Sequence, residues 1–535
     1  MQVNCTKIPY SHTGYFSKLI IDYLNGDIKL TGFYSQPPNW EGIKAKMEER
    51  KDFQQREKLV GLLSAQYKGL PAFEPVTKNL DLLLQKNTFT ITTAHQPNIF
   101  TGPLYVVYKI LHAVQLAEEL KKSFPGNNFV PVFYMGSEDA DLEELNHISI
   151  DGKDYLWKTK QTGAVGRMIV DDALLILINE IQGQLGVLPF GNELIELFKK
   201  SYKKGIQIQQ ATLYVLNELF GIFGLIILIP DNAGLKKIFE PVIVNELETQ
   251  FSHNALEPVI HALGEHYKVQ TAGRDLNLFY LLEGKRERIE KAGDDFIIKN
   301  LGISFSKNEI IAEVKNFPER FSGNVVLRGL FQETILPNVA FIGGGGEIAY
   351  WLELKKVFET VTVPYPVLVL RNSFLLINEK QQKKLKQLQF TTLDLFQTTD
   401  DLTKALVLKD SGKDILPAKE IEAINQTYLS IIDIAKAADS TLEGHALALK
   451  AKNEKSLQGL EKKIIRAEKR KHKETIHSIQ QIKSALFPGG SLQERQENFA
   501  GFYARYGKDW FKKIAGCSDG FKQEFSVVFL EKKNQ

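Results

Sequence analysis

The chain has 535 residues and a formal net charge of +3, with 43% hydrophobic and 24% charged residues. These values are ordinary for a globular protein, and so small a net charge indicates no particular partner. Because the length exceeds what one hydrophobic core supports, we expect two or more structural units.

The two cysteines, Cys5 and Cys517, lie at opposite ends of the chain, which excludes a disulfide framework and a thiolate-rich metal site. Neither has an activating neighbour in the sequence, so neither is predicted to be a nucleophile. The first residues lack the features of a signal peptide, and the longest apolar run, residues 225–229, is too short to span a bilayer. We therefore expect a cytoplasmic protein.

The first predicted strand of the core, residues 89–94, is rich in β-branched and aromatic residues and leads into a polar turn. The turn and the helix that follows it supply His95, Gln96, Thr101 and Tyr105. Such turns at the carboxyl ends of strands are where open α/β sheets bind ligands, and Gly102 allows a close backbone approach. The turn predicts an active site, although His95 alone could be a structural histidine held by a backbone partner.

A second predicted strand, residues 129–135, is followed by five carboxylates within residues 138–144. Asp141 with Glu144 three residues later predicts a capping box at a helix start. Glu138 and Asp139 remain at the end of the strand and are expected to face the same crevice as His95. Carboxylates in that position could bind an amine, hold Mg²⁺ or act as a general base.

Two more strands are predicted at residues 225–230 and 339–342, each followed by a turn and a helix. This alternation predicts an α/β fold, a Rossmann-like parallel sheet core spanning residues 1–371. Inserted segments are expected at about 148–220 and 240–325. The first should contain a hairpin turned at Asp151-Gly152, and the second a small antiparallel piece around Gly284 and Gly293.

The last of these strands runs into a series of glycines at the start of a helix. They are Gly343, Gly344, Gly345 and Gly346. Free backbone N–H groups there could hold phosphate or carboxylate, but the spacing matches no phosphate-loop fingerprint, and a flexible turn explains it almost as well. Arg328 and Gln332, shortly before, offer a guanidinium suited to an anion or to a surface ion pair.

Beyond about residue 372 the composition becomes helical, and residues 372–490 are predicted to form an α-helical coiled-coil domain. The proposed seam steps by three and four residues through Leu457, Leu460, Ile464 and Ala467. It should pack on residues 375–388 or on a second chain, which makes a homodimer the expected state. The basic run 462–473 could bind nucleic acid, but a solvated helix face is favoured. Residues 491–535 are expected to return to the core.

With these residues in hand, the chain resembles the bacillithiol biosynthesis cysteine-adding enzyme family. The resemblance rests on His95-Gln96-Pro97, Thr101-Gly102-Pro103-Leu104-Tyr105, Tyr108-Lys109, Glu138-Asp139-Ala140-Asp141, Glu144-Leu145-Asn146-His147, Val326-Leu327-Arg328, Phe331-Gln332-Glu333 and the glycines with Glu347-Ile348-Ala349-Tyr350-Trp351. The chain departs from the family's usual proline at Gly329 and Gly345, which alters loop stiffness more than functional groups.

The resemblance implies a dimerising coiled coil and the joining of L-cysteine to glucosaminyl malate to give bacillithiol or a close relative. His95, Glu138 and Asp139 are then the predicted catalytic residues. The residues predicted to bind substrate or nucleotide are Gln96, Thr101, Gly102, Tyr105, Lys109, Asp141, Asn146, Arg328, Gln332, Gly343, Gly344, Gly345, Gly346, Glu347 and Tyr350.

Amide synthesis from a free carboxylate is uphill in water, so we expect ATP or another nucleotide, with Mg²⁺, to activate the carboxylate. No zinc, membrane or nucleic acid is expected. The alternative function is a coiled-coil scaffold or nucleic-acid-binding protein with an inert Rossmann-like unit.

Overall fold

The computed structural model describes residues 2–271, 273–410 and 418–531. The chain divides into two compact units, one formed by residues 1–376 with 491–535 and the other by residues 377–490. The predicted segments also include residues 1, 272, 411–417 and 532–535, which lie outside the described residues.

The strands of the described residues are, in chain order, β1 (Gln2–Pro9), β2 (Thr88–His95), β3 (Asn128–Met135), β4 (His147–Ile150), β5 (Lys153–Leu156), β6 (Ile226–Leu228), β7 (Leu278–Leu282), β8 (Lys285–Arg288), β9 (Glu290–Ala292), β10 (Asp295–Ile298), β11 (Ile303–Phe305), β12 (Phe321–Gly323), β13 (Asn338–Gly343), β14 (Val367–Leu370), β15 (Phe374–Asn378) and β16 (Glu524–Glu531).

The α-helices of the first unit are α1 (Lys18–Leu24), α2 (Trp40–Arg50), α3 (Arg56–Tyr67), α4 (Glu74–Leu82), α5 (Leu104–Ser123), α6 (Leu142–Leu145), α7 (Asp172–Leu185), α8 (Gly191–Ser201), α9 (Ile208–Phe220), α10 (Ala233–Thr249), α11 (Phe251–Gly264), α12 (Lys307–Asn316), α13 (Val325–Ile335) and α14 (Gly345–Thr360). The second unit holds α15 (Glu379–Gln387), α16 (Thr399–Asp410), α17 (Ala418–Ala438), α18 (Leu442–Lys471) and α19 (Lys473–Leu486). The C-terminal segment adds α20 (Gln493–Gln496), α21 (Ala500–Tyr506) and α22 (Asp509–Ala515).

A five-stranded parallel sheet forms the centre of the first unit and confirms the predicted Rossmann-like core. Its strand order is β14-β13-β2-β3-β6, so the four predicted strands are present and β14 adds a fifth. The chain leaves β2 towards β3 and β6, then returns to the other side of β2 as β13 and β14. The carboxyl ends of β2 and β13 therefore flank a topological switch point, where such sheets bind ligands.

Buried threonines hold the two strands at the switch point together. The hydroxyls of Thr90 and Thr92 donate to Asn338 Oδ1 at 3.1 and 2.8 Å, and that of Thr93 donates to the Ile342 carbonyl at 2.8 Å. All three threonines are fully buried, which requires that their hydroxyls be hydrogen-bonded. The register of β2 against β13 is thus fixed by side chains as well as by the backbone.

The insertions contain the predicted antiparallel pieces. β4 and β5 form a hairpin whose turn residues, Asp151 and Gly152, have φ of 51° and 78°, the values that an Asp-Gly turn of this type requires. β7 pairs with β8 across Gly284, and β9 pairs with β10 across Gly293, both with positive φ. These hairpin predictions are confirmed.

The two ends of the chain meet in the first unit. β1 runs antiparallel to β16 over eight residue pairs, from Gln2 opposite Glu531 to Pro9 opposite Glu524. Side chains of α21 and α22, among them Tyr503, Trp510 and Phe511, are buried in the same hydrophobic core as α5 and β3. The aromatic residues of the C-terminal segment thus serve as core residues.

The second unit differs from its prediction in two respects. The expected helix over residues 419–486 is interrupted after α17, where the Thr441 N–H and hydroxyl donate to Asp439 Oδ1 at 2.8 Å, and again at His472. Of the two predicted partners of the seam, residues 375–388 were wrong, and a second chain stays a prediction. α18 packs on α17 and α16, whereas α15, which lies in the predicted partner region, contacts α19.

Only some of the residues predicted to form the seam are covered in α18. Ala446 is buried and Leu457 and Ile464 are half-buried, whereas Leu460 and Ala467 are exposed. The covered residues step along one face of the helix, and the leucine at 460 lies outside that face. In the basic run, Lys469 pairs with Asp400 at 3.2 Å and Lys471 pairs with Glu468 at 2.6 Å. None of the helices in the described part of the chain is long and apolar enough to cross a membrane.

Candidate functional site

A cleft at the switch point consists of two adjoining cavities, of about 30 and 260 Å³. Both are lined by His95, Gln96, Arg328, Glu347 and Tyr350. The smaller cavity is completed by Ala94, Tyr134, Gly136, Gly329, Gln332, Phe341 and Trp351. The larger is completed by Tyr105, Lys109, Gly344, Gly345, Gly346, Arg371 and Arg495. Eleven of the predicted site residues are thus brought together.

His95 ends β2 and lies half-buried in the wall of the cleft. Burial lowers the pKa of its imidazole well below the usual value, and the nearby Lys109 and Arg328 lower it further. The ring is therefore neutral at pH 7. Its Nε2 lies 3.3 Å from the Tyr105 hydroxyl, and burial raises the pKa of that phenol to about 12. A neutral imidazole beside a protonated phenol can accept a proton during a reaction.

Lys109 links the two sides of the switch point. Its ammonium donates to the Ala94 carbonyl at 2.9 Å and forms an ion pair with Glu347. Glu347 Oε2 in turn accepts the Gly344 N–H at 2.8 Å, at the start of α14. Burial lowers the pKa of Lys109, and Glu347 opposes this effect. The first turn of α14 is thus held to the end of β2 by a buried charge pair.

Asp139 is fixed at the cleft by two neighbours. Arg328 Nη1 and Gln96 Nε2 each donate to Asp139 Oδ2 at 3.1 Å. Burial raises the pKa of this carboxyl, but Arg328 and Arg286 outweigh burial and hold the pKa below its usual range. The carboxylate is therefore charged at neutral pH and fixes the orientation of a cleft-lining guanidinium and a cleft-lining amide.

Two arginines of the cleft were missed by the sequence analysis. Arg371 follows β14 directly. His95 was predicted because it stands at the end of a strand, and the same reasoning could have identified Arg371. It pairs with Glu494 at 2.7 Å, and its Nε is buried without a hydrogen-bond partner. That nitrogen lies 3.5 Å from the position of a Cβ placed on Gly344, within ordinary van der Waals contact, so it lies beside the start of α14.

Arg495, from the C-terminal segment, is exposed and lines the larger cavity. Among the described residues, its guanidinium has neither a hydrogen-bonded nor an ion-paired partner, while its backbone N–H donates to the Leu492 carbonyl at 2.9 Å. No local sequence pattern distinguishes it, since it reaches the cleft only because the segment folds back onto the first unit.

Gln332 is held at the floor of the smaller cavity by a buried network. Its Nε2 donates to Glu333 Oε1 at 2.9 Å, and Asn338 donates to the same oxygen at 2.7 Å. Arg50 pairs with the other carboxylate oxygen at 2.9 Å. Burial raises the pKa of Glu333 to about 7 in spite of Arg50. With its amide nitrogen committed to Glu333, Gln332 offers its carbonyl oxygen as an acceptor.

Glu138 belongs to a neighbouring charge cluster and lines neither cavity. It forms an ion pair with Lys236, whose ammonium also lies 3.6 Å from Asp231. Arg167 binds Asp231 with two hydrogen bonds, at 2.6 and 2.7 Å. A catalytic role for Glu138 would have to compete with Lys236 and stays a prediction.

Besides Glu138 and Asp139, five further predicted residues line neither cavity. Thr101 and Gly102 are buried in a turn whose carbonyls at Phe100 and Gly102 accept hydrogen bonds from the Asn498 amide at 3.0 and 2.5 Å. Gly343 accepts the Arg371 N–H at 2.8 Å. Their binding roles stay predictions.

The other two lie around α6, a helix of four residues. Asp141 is exposed at its start, and Asn146 follows its end. The predicted capping box is wrong, because the Asp141 side chain makes no capping hydrogen bond. At the start of α14 in the cleft, the Glu347 side chain caps the helix by accepting the Gly344 N–H, and Gly344 has no side chain to complete a capping box.

The larger cavity carries an excess of positive charge. Lys109, Arg328, Arg371 and Arg495 line it, against one lining carboxylate, Glu347. The start of α14 adds the partial positive charge of a helix N-terminus. Such a cavity suits a phosphate or a carboxylate ligand. Among residues 2–271, 273–410 and 418–531, no three His, Cys, Asp or Glu side chains are grouped as metal ligands; the expectation of no zinc stays a prediction.

Comparison with known proteins gives one consistent result. The family description "Bacillithiol biosynthesis BshC, N-terminal Rossmann-like domain" matches residues 1–372, and "Bacillithiol biosynthesis BshC, C-terminal coiled-coil domain" matches residues 374–530. A relative from Flavobacterium johnsoniae, named "Putative cysteine ligase BshC", is 41% identical over 99% of this chain and 100% of its own length. Relatives of the same name are 40% identical in Flavobacterium psychrophilum, over 99% of both chains, and 27% identical in Bacillus thuringiensis subsp. konkukian, over 93% and 95%.

Proposed function

The chain belongs to the BshC family of bacillithiol biosynthesis, and from this premise we propose that it is a ligase that joins the carboxylate of L-cysteine to the amine of glucosaminyl malate. The observation that carries the proposal is the cationic larger cavity. A ligase for these substrates binds a dicarboxylate and, with nucleotide activation, a cysteine whose carboxyl group carries a phosphate, and both are anionic. The cavity offers a buried guanidinium nitrogen without a partner at Arg371 and an unpaired guanidinium at Arg495.

ATP, or another nucleotide, with Mg²⁺ is the proposed activating co-substrate. The residues fit its phosphates: the N–H groups at the start of α14, the Arg371 Nε beside Gly344 and the Arg495 guanidinium converge on one cavity. The glycines at 344–346 leave this approach open, because they carry no side chains. Activation makes cysteine's carboxyl carbon electrophilic.

The amine must lose a proton as the amide bond forms. In this proposal the neutral imidazole of His95 accepts that proton, with Tyr105 beside its Nε2. Asp139 attracts the amino group of the sugar before reaction. It is favoured over Glu138 for this role, because its partners Gln96 and Arg328 line the cleft, whereas Lys236, the partner of Glu138, does not.

The direct test incubates the purified protein with cysteine, glucosaminyl malate and ATP–Mg²⁺ and detects the thiol product by mass spectrometry. We expect product with the wild type and a strong loss with His95→Asn. Absence of product with ATP alone would reject that co-substrate. Failure of the gene to restore the thiol in cells lacking their own ligase would reject the proposed function.

We also propose that the protein is a homodimer formed through the second unit. Leu442, Leu449 and Leu460 of α18 are 45%, 44% and 48% exposed in the single chain. Exposed leucines along one helix are typical of a surface that a partner covers. A second copy of the chain provides the same apolar surface and closes the contact by twofold symmetry.

A further inference from the structure

The smaller cavity of the cleft is a narrow pocket with aromatic walls. Its volume of about 30 Å³ leaves room for a group of roughly two heavy atoms. Tyr134, Phe341 and Trp351 line it and are buried, and the rings of Phe341 and Trp351 stack with their centroids 4.4 Å apart. His95 and Arg328 line this pocket and the larger cavity alike, so one ligand can extend from one into the other.

Gln332 supplies this pocket with a hydrogen-bond acceptor. It is 2% exposed, and its Nε2 donates to Glu333 Oε1 at 2.9 Å. Asn338 and Arg50 also donate to the Glu333 carboxylate, at 2.7 and 2.9 Å. Both carboxylate oxygens therefore accept, so the nitrogen of the Gln332 amide must face them and its carbonyl oxygen is left for the pocket. In the part of the chain that the structure describes, no side chain or backbone N–H donates to that oxygen.

The pocket suits a thiol better than an ammonium group. An ammonium group has a full charge and three donors, but Gln332 offers it one carbonyl, and the Arg328 guanidinium lines the same pocket. Glu347, a carboxylate of the lining, is already paired with Lys109. A thiol has a single weak donor and makes favourable contacts with aromatic rings. The –CH₂–SH group of cysteine therefore matches the pocket in its size, in its aromatic walls and in the acceptor at Gln332.

We propose that the smaller cavity selects the amino-acid substrate by its side chain, and that the Gln332 carbonyl accepts the S–H group of cysteine. This inference rests on the proposed ligase function. In this arrangement the carboxyl group of cysteine lies at the border of the two cavities, beside His95, and faces the cations of the larger one. Longer side chains are excluded by their size, and small apolar side chains lack the hydrogen bond to Gln332.

The first test measures by calorimetry how tightly the full-length protein binds L-cysteine, L-2-aminobutyrate and L-homocysteine, with the thiols kept reduced. Aminobutyrate has a methyl group in place of the thiol, and homocysteine has one more methylene. We expect 2-aminobutyrate to bind about threefold to tenfold more weakly than cysteine, since it lacks one hydrogen bond, and homocysteine about tenfold or more weakly. Homocysteine that binds as tightly as cysteine would overturn the pocket and leave the ligase function standing. A wild type that does not bind cysteine would reject both.

A variant that fills the pocket locates the selection there. Gly136→Ala adds a methyl group to the wall of the smaller cavity, 3.6 Å from the nearest atoms of Arg328 and Gln96, an ordinary contact that does not strain the fold. We expect it to bind cysteine about tenfold or more weakly. Glucosaminyl malate should bind as it does to the wild type, because Gly136 does not line the larger cavity. The control is Gly61→Ala on α3, where an added Cβ meets no atom within 4 Å. Unchanged cysteine binding in Gly136→Ala would contradict the assignment.

A second variant removes the acceptor and keeps the length of the side chain. Gln332→Met should weaken cysteine binding about threefold to tenfold and leave 2-aminobutyrate binding unchanged, because only cysteine donates to the carbonyl. The ratio of the two affinities is the readout, since a general loss of stability would weaken both ligands alike. The same ratio in Gln332→Met as in the wild type would overturn the role of Gln332.

Discussion

The cleft of the first unit and the paired helices of the second use their side chains in opposite ways. In the cleft, charged groups are buried in fixed pairs, such as Arg371 with Glu494 at 2.7 Å. In α18, ion pairs lie at the surface, and leucines such as Leu460 are about half exposed. Buried pairs are costly to form and hold their partners in one geometry, which suits a site that positions substrates. Exposed leucines have no such purpose within one chain and indicate an assembly surface.

The largest expected effect on the free energy of unfolding comes from a substitution that breaks a buried ion pair of the cleft. Glu494→Gln leaves the Arg371 guanidinium buried without a countercharge, and such losses cost about 3–5 kcal/mol of unfolding free energy. The matched surface pair is Arg505 with Asp151, at 2.7 Å and more than a third exposed. Asp151→Asn should cost about 1 kcal/mol or less.

Tryptophan fluorescence in a denaturant titration checks this difference, since all four tryptophans, Trp40, Trp157, Trp351 and Trp510, belong to the first unit. Equal costs for the two variants would show that the buried pair is no more important for stability than the surface pair.

The second largest expected effect is the dependence of the unfolding free energy on pH. His112 Nδ1 accepts the Asn372 N–H at 3.1 Å and its Nε2 faces the Gly520 carbonyl at 3.0 Å, so the fold holds the neutral ring. Burial lowers its pKa from 6.5 to about 4. Between these values the unfolded chain binds one more proton, so stability is full above pH 6.5 and falls as the pH decreases towards 4, by up to about 3 kcal/mol.

The pH dependence of the unfolding free energy checks this sign. His112→Gln should flatten the profile between pH 6.5 and 4, and His147→Gln, at an exposed position, should leave it unchanged. A wild-type profile that rises towards acid pH would contradict the neutral His112.

The smallest effect concerns the second unit. Replacing Leu442 and Leu449 by serine removes exposed apolar surface, so the proposed dimer should dissociate about tenfold more readily, which corresponds to about 1.4 kcal/mol. Sedimentation velocity over a range of protein concentrations measures this. Serine at Val187, an exposed apolar residue of the first unit, is the control. A wild type that is monomeric at micromolar concentration would reject the dimer.

The same comparison explains what could be predicted from the sequence. Local patterns predict the strands at 89–94 and 129–135 and the hairpin at Asp151-Gly152, because alternation and turn chemistry act over a few residues. They also place His95 and the glycines at the carboxyl edge of one sheet. The helix partner of α18 was not predictable in this way, since heptad stepping is compatible with several partners.

The features that could not be predicted from the sequence depend on contacts between residues far apart in the chain. Arg495 reaches the cleft only because the C-terminal segment folds back to pair β16 with β1. The pairing of Glu138 with Lys236 likewise joins residues from different crossovers. No pattern within a short stretch of sequence encodes these contacts.

Arg495 provides the most direct test of the cationic cavity, because it is exposed and no described residue pairs with its guanidinium, so its removal should not affect folding. Calorimetric titration of ATP–Mg²⁺ and of glucosaminyl malate into the wild type, Arg495→Gln and the surface control Arg505→Gln gives the dissociation constants. A charged hydrogen bond contributes about 1.5–3 kcal/mol, so Arg495→Gln should weaken at least one ligand by about tenfold or more, while Arg505→Gln binds as the wild type does. Equal binding of both ligands to all three proteins would contradict the assignment of this cavity as the anion-binding site.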